Sequence, residues 1–168
     1  LIFSSVASAS PENLPIVAIA ILYQVSDGSD TSNHPPQYLM QLRDDIPGIV
    51  YPGHWGFFGG HLEPGEDPEQ ALRRELVEEI EYEAGVLTPF GCYAQGNVVR
   101  HVFAGPLTVP VSQLVLHEGW DLDFLDPVAI QRGDQFSPKA GRNCPLAPIH
   151  QQILLDHLAA WQNISPLT

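Results

Sequence analysis

Gly60-His-Leu-Glu-Pro-Gly-Glu66, continuing to Arg74-Glu-Leu-Val-Glu-Glu79, decides the reading of this chain. A glycine-rich turn leads into a segment carrying an arginine and three closely spaced glutamates. Gly59 and Gly60 permit positive φ and close backbone approach, and Pro64-Gly65 is a turn signal. Asp67 before Pro68 is an N-cap followed by proline at the first helical position, so a helix begins there. With Leu72 at zero and about 100° per residue, Leu76, Ile80 and Val77 fall at about 40°, 80° and 140°, one apolar arc. Glu78, Glu75 and Glu79 fall at about 240°, 300° and 340°, a separate acidic arc.

Charge on a helix is usually a solvated face. The preceding turn changes that reading, because it delivers backbone to the start of the acidic helix. Like charges three and four apart repel by a few tenths of a kcal/mol per pair, and a bridging cation reverses the sign. Magnesium takes carboxylate oxygens, keeps several waters and is completed by substrate phosphates. The pattern therefore suits a hard divalent ion and, through it, a phosphate chain.

Gly60, Glu66, Arg74, Glu75, Leu76, Glu78 and Glu79 match the Nudix box, and the chain resembles that family over residues 60 to 82. The leading Trp55-Gly-Phe-Phe-Gly-Gly60 is similar to the family's strand before the box, with Phe58 where proline is more common. One position departs: the family's glycine after the glutamate pair is Glu81, followed by Tyr82. Since that glycine normally ends the helix, the expectation is a helix running to about Ala84 and stopping at Gly85. The resemblance implies a Nudix-like α/β/α sandwich with a mixed sheet. It also implies magnesium or manganese bound by Glu75, Glu78, Glu79 and the Gly60 carbonyl. Arg74 would orient a glutamate through charge-assisted hydrogen bonds. Glu66 would tie the loop to the helix, or be a first-turn glutamate favoured by the helix dipole.

The 168 residues, 44% hydrophobic, fit one compact domain. A flexible arm is expected over 1–12 and a single domain over 13–168. The net charge of −13 argues against long nucleic acids, which call for a basic surface; a small nucleotide with metal-neutralised phosphates fits. No run of about 18 apolar residues exists to span a membrane. The start, Leu1 to Ser10, is apolar and rich in small residues but lacks a basic n-region, so a cytoplasmic protein, monomer or homodimer, is expected. Cys92 and Cys144 match no close-spaced metal pattern; they read as buried free thiols, with a bridge open only if the fold brings them together.

Strands are expected at Ile16–Val25, Tyr38–Arg43, Trp55–Phe58, Thr88–Tyr93, Val98–Phe103 and Val111–Leu116. Ser26–Pro36 and residues 133–145 read as loops. Asp126-Pro127 opens a short helix to about Gln131, and Ile149, Ile153, Leu154, His157, Leu158 and Trp161 recur at a helical period over 148–161.

The resemblance further implies a loop glutamate beyond the box. Glu118, beside Gly119, is the candidate, so Glu75, Glu78 and Glu118 compete as general base. Arg43, Arg100 and His101 are candidates to meet phosphate oxygens. Trp120, Phe57, Tyr38 and Phe103 are candidates to stack a base, although buried aromatics usually serve the core. The implied function is metal-dependent pyrophosphohydrolysis of a nucleoside triphosphate or a nucleotide sugar. The alternative is a nucleotide-binding module of the same fold that does not cleave; such domains usually lose box glutamates, and all are retained here.

Overall fold

β1 (Ile16–Gln24) is the strand around which the fold is arranged, and the computed structural model describes it within residues 14–25 and 34–164. The arm expected over 1–12 and most of the Ser26–Pro36 loop lie outside the described residues. β1 pairs in parallel with β6 (Val98–Pro106), which pairs antiparallel with β5 (Thr88–Gln95). On the other side β1 changes partner. Its end, Leu22–Gln24, pairs with β2 (Gln37–Leu42), whereas Val17–Ala20 pairs with β4 (Phe58–His61). β2 likewise passes from β1 to β3 (Trp55–Gly56) at Gln41 and Leu42, and pairs along its length with β7 (Asp121–Leu125). The sheet is mixed, and the β3–β4 segment fills the place where β1 and β2 part.

Alternation along β1 sends its side chains to two layers. Ala18, Ala20 and Leu22 join Leu39 and Phe58 against α1 (Pro68–Ile80), while Ile19 and Ile21 join Met40, Trp55 and Phe57 against α2 (Pro127–Arg132) and α3 (Pro148–Ile164). Helices thus cover both faces, which is the expected α/β/α sandwich. Leu72, Leu76 and Ile80 of α1 are fully buried, each contributing about 1.5–3 kcal/mol by burial. Among the described residues no helix is long and apolar enough to cross a membrane.

The expected helix starts are found. Asp67 caps α1 in a capping box with Gln70, and Asp126 caps α2, each followed by proline at N1. The expected end of α1 is corrected. It stops at Ile80, because Glu81 itself takes the left-handed conformation at φ 53°. Its N–H and that of Tyr82 return to the carbonyls of Val77 and Leu76, satisfying groups that the helix end leaves open. Tyr82, in the family's aliphatic position, is buried and bonds through its hydroxyl to Pro106 and Thr108.

The apolar arc read from α1 also needs correction. Val77 is exposed, whereas Ala71, Leu72, Leu76, Glu79 and Ile80 are buried. The buried face therefore takes in Glu79, and the acidic and buried arcs overlap.

The strand expected at Val111–Leu116 is a single 3₁₀ turn at Val111–Gln113 followed by irregular chain. Its backbone bonds to the end of α1 instead of to a sheet, Val115 N–H to Ile80 O and His117 N–H to Glu79 O. The 133–145 loop contains a hairpin, β8 (Asp134–Ser137) and β9 (Arg142–Pro145), held to the sheet by Trp55 Nε1 donating to Gln135 O at 3.0 Å. Both cysteines are free, but only Cys144 is buried; Cys92 lies exposed on β5.

Candidate active site

The site is assembled where β4 crosses β1 under the glutamates of α1. Gly59, at φ 123°, lies so close to β1 that a methyl group there would come within 2.1 Å of Ala18 O. A methyl group on Gly60 would come within 2.5 Å of Glu75 Oε1. The two glycines therefore let the backbone approach the strand on one side and a carboxylate on the other.

Glu79 is the innermost acid. Only 6% of its surface is exposed. Its Oε2 accepts from the Gly59 N–H at 2.8 Å and its Oε1 from Gln41 Nε2 at 3.2 Å. Burial pushes its pKa up to about 7, against the two hydrogen bonds and with help from the nearby charges of Glu75 and Glu118. The charges of Glu75 and Glu118 thus reach the buried Glu79 carboxyl.

Arg74 organises the outer acids. It forms a two-pronged pair with Glu66 (2.9 and 3.1 Å), and its Nη1 reaches Glu75 Oε1 at 2.9 Å and Glu78 Oε2 at 3.3 Å. Its Nη2 also donates to His61 O at 3.0 Å. Glu66 in turn accepts from the Glu63 N–H at 2.8 Å. The hydrogen bond from Arg74, and then that backbone donor, hold the Glu66 carboxyl below its usual range. Glu66 and Arg74 therefore lock the turn onto the helix. Glu78 is the outlying member, 60% exposed at its side chain.

Glu118 is placed by three tethers around it. His117 N–H bonds Glu79 O, Trp120 N–H bonds Leu42 O, and Gly119 at φ 94° packs its backbone against Leu42 O. Glu118 then lines an acidic cleft with Glu79, Gln41, Arg43 and Asp44. A His117–Glu81 contact of 2.7 Å fastens the same loop to the residue standing in for the family's glycine.

Beyond the cleft a second cavity, about 240 Å³, opens beside the Gly59–Gly60 backbone. Arg43 lines both spaces. Val17, Ile19, Phe57, Arg100 and His150 form walls of the cavity. Arg100 is thus brought to the site together with Arg43. Trp120 is not: its indole is half exposed and lines neither space. His101 points to the opposite face of β6 from Arg100, by strand alternation. Of the aromatic candidates only Phe57 reaches the cavity; Tyr38 is fully buried against His157, and Phe103 is in the layer under α1. Sequence reasoning missed Gln41 and His150. Gln41 interrupts an apolar strand, and His150 sits on an apolar helix face, which were the available signals.

Among the described residues, no three His, Cys, Asp or Glu side chains converge as a closed cation cage. The donor set still fits a hard divalent ion. Carboxylate oxygens of Glu75 and Glu79 lie against the glycine pair, Glu75 in the space a Cβ at Gly60 would fill and Glu79 on the Gly59 N–H. Magnesium needs only one or two carboxylates when phosphates and water complete its shell.

The NUDIX domain family model matches residues 20–136, and the chain belongs to that family. It is 33% identical over 78 residues to a putative 8-oxo-dGTP diphosphatase of Bacillus subtilis, covering 45% of this chain and 48% of that protein. It is 58% identical over 43 residues to the nucleoside triphosphatase NudI of Escherichia coli, covering 26% and 30%. The chain thus matches less than half the length of these curated relatives. The fold resembles the NUDIX domain of Shewanella oneidensis NrtR, solved in complex with ADP ribose, at TM-score 0.63 and 16% identity over 90% of this chain and 92% of that one.

Proposed function

We propose that the protein is a magnesium- or manganese-dependent pyrophosphohydrolase acting on a nucleoside triphosphate or another nucleoside diphosphate derivative. The observation that carries this reading is Glu79: a carboxylate buried in the core layer, pushed up to about 7, with Glu75 and Glu118 close by. Even with its two hydrogen bonds, a carboxylate buried beside two others is costly to ionise, and a bound cation would offset that cost. The relatives' names, a diphosphatase and a triphosphatase, support the same chemistry.

Glu75, Glu79 and the Gly60 carbonyl would hold the ion, with Glu78 able to join by rotating away from Arg74. When bound, the ion neutralises the diphosphate and lowers the pKa of a coordinated water. Gln41 and the Gly59 N–H hold the Glu79 carboxylate still. Arg43, at the junction of the cleft and the cavity, meets phosphate oxygens as a charge-assisted donor. Glu118 faces the cleft and accepts a proton from the attacking water; Glu75, held by Arg74, is its rival for that role.

The test is incubation with magnesium and a panel of nucleoside di- and triphosphates, nucleotide sugars and dinucleotides, scored by product mass. Cleavage at a phosphoric anhydride is expected, and Glu79→Gln should abolish it. No cleavage of any member, or a Glu79→Gln variant with unchanged turnover, refutes the proposal. Product release would also exclude a module that binds without cleaving.

A further inference from the structure

Glu81 stands where local physics disfavours it. It takes a left-handed backbone at φ 53°, in which a Cβ crowds the neighbouring carbonyl oxygen. It also places a negative charge at the C-terminal end of α1, the negative end of the helix dipole. The last turn, Val77-Glu-Glu-Ile80, carries no basic residue to offset that charge. Glycine, with neither Cβ nor charge, would meet neither penalty. Strain of this kind beside a candidate active site points to a task for the side chain.

The Glu81 carboxylate reaches from the helix end to the loop that carries Glu118. Its Oε1 lies 2.7 Å from His117 Nε2; a carboxylate only accepts, so the ring donates there. The same loop is joined to the last turn of α1 by the Val115 N–H on Ile80 O at 3.2 Å and the His117 N–H on Glu79 O at 2.9 Å. His117 is thus gripped at its backbone and at its ring, one residue before Glu118. On the far side the Trp120 N–H bonds Leu42 O at 2.7 Å. Glu118 stands between these grips and lines the cleft with Glu79. The helix end therefore carries Glu79 and, through Glu81, sets where Glu118 stands relative to it. A pair this exposed, 48% and 55% at the two side chains, adds little to stability. What it removes is the freedom of a loop.

Resting on the proposed hydrolase, in which Glu118 takes the proton of the attacking water, we infer that Glu81 and His117 are positioning residues whose contact holds the Glu118 loop in register with Glu79 for turnover. The strained residue thus costs stability and fixes the base.

The test pairs kinetics, with magnesium and the panel nucleotide that wild type cleaves fastest, with backbone amide relaxation of the free protein. Glu81→Gly removes the carboxylate and the strain together, so this variant should melt no lower than wild type. Its kcat should nevertheless fall about ten-fold with KM changed by less than about two-fold, the signature of a misplaced catalytic group and not of lost binding. His117→Ala should lose as much, and the double variant no more than either single change. Glu81→Gln keeps an acceptor and His117→Gln keeps a donor, so each should hold kcat within about three-fold of wild type. Order parameters at Glu118 and Gly119 should drop from about 0.85 to below about 0.6 in Glu81→Gly and His117→Ala. Unchanged order parameters, additive losses in the double variant, or a loosened loop with wild-type kcat overturns the inference. A wild-type chain that cleaves nothing, with variants that loosen the loop, refutes the hydrolase reading and supports the hold on the loop. Turnover in wild type with a loop equally rigid in the variants refutes the positioning role alone.

Discussion

Glu79→Gln should make the metal-free protein more stable as pH rises while removing its activity. The Glu79 pKa is pushed from 4.5 to about 7 in the folded chain. An acid whose folded pKa is raised in this way imposes no penalty below 4.5, a growing one between 4.5 and 7, and a constant one above 7. At pH 5 that penalty is about 0.8 kcal/mol, and at pH 8 about 3 kcal/mol. The substituted amide has its own cost, because Gly59 N–H and Gln41 Nε2 both donate and the new side chain offers only one oxygen, but that cost does not vary with pH. The difference between variant and wild type should therefore shift by about 2–3 kcal/mol in favour of the variant from pH 5 to pH 8. Urea unfolding of both proteins in chelator, at several pH values, measures it. Parallel stability profiles would show that the Glu79 carboxylate is not ionising in a desolvated place, and the account of the site would fall.

Gly59→Ala should cost at least about 2–3 kcal/mol, since its methyl group meets the Ala18 carbonyl at 2.1 Å as well as a left-handed backbone. Gly65→Ala, at φ 90° with open space around it, should cost only about 1 kcal/mol; equal losses in denaturant melts would refute the close-approach argument. Glu81→Gly should stabilise by up to about 1 kcal/mol by relieving the left-handed residue, with the exposed His117 contact worth little against it; a lower urea midpoint would refute this. Acid should destabilise the fold through His157, whose ring is lowered from 6.5 to about 4 by burial. The unfolded state takes up the proton first, so stability is full above about pH 6.5 and about 2 kcal/mol is lost by pH 5. His150, pushed down to about 3, adds a share of the same sign, so His157→Phe should remove roughly half of that limb; an unchanged slope would refute the share given to His157.

The start of α1 and the box itself could be read from residues, because capping, turn chemistry and spacing are local. Asp67-Pro68 and Asp126-Pro127 set two helix starts without tertiary help. The end of α1 could not be read this way. Glu81 accepts a strained backbone because Tyr82 is drawn into the core and His117 is tied down beside it, contacts made by distant segments. The strand expected at Val111–Leu116 fails for the same reason, since an apolar stretch there packs onto a helix end instead of a strand.

From the linear chain alone came the carboxylate set, the glycine turn and the helices that cover the sheet, because each follows from periodicity or backbone chemistry within a few residues. Only the folded molecule decided which glutamate is desolvated, that Gln41 and Gly59 hold it, and that Arg43, Arg100 and His150 meet around one cavity. Those relations depend on β1 changing partner from β2 to β4 and on α3 closing the far face. Burial and mutual distance are properties of packing, and packing joins residues that the chain keeps far apart.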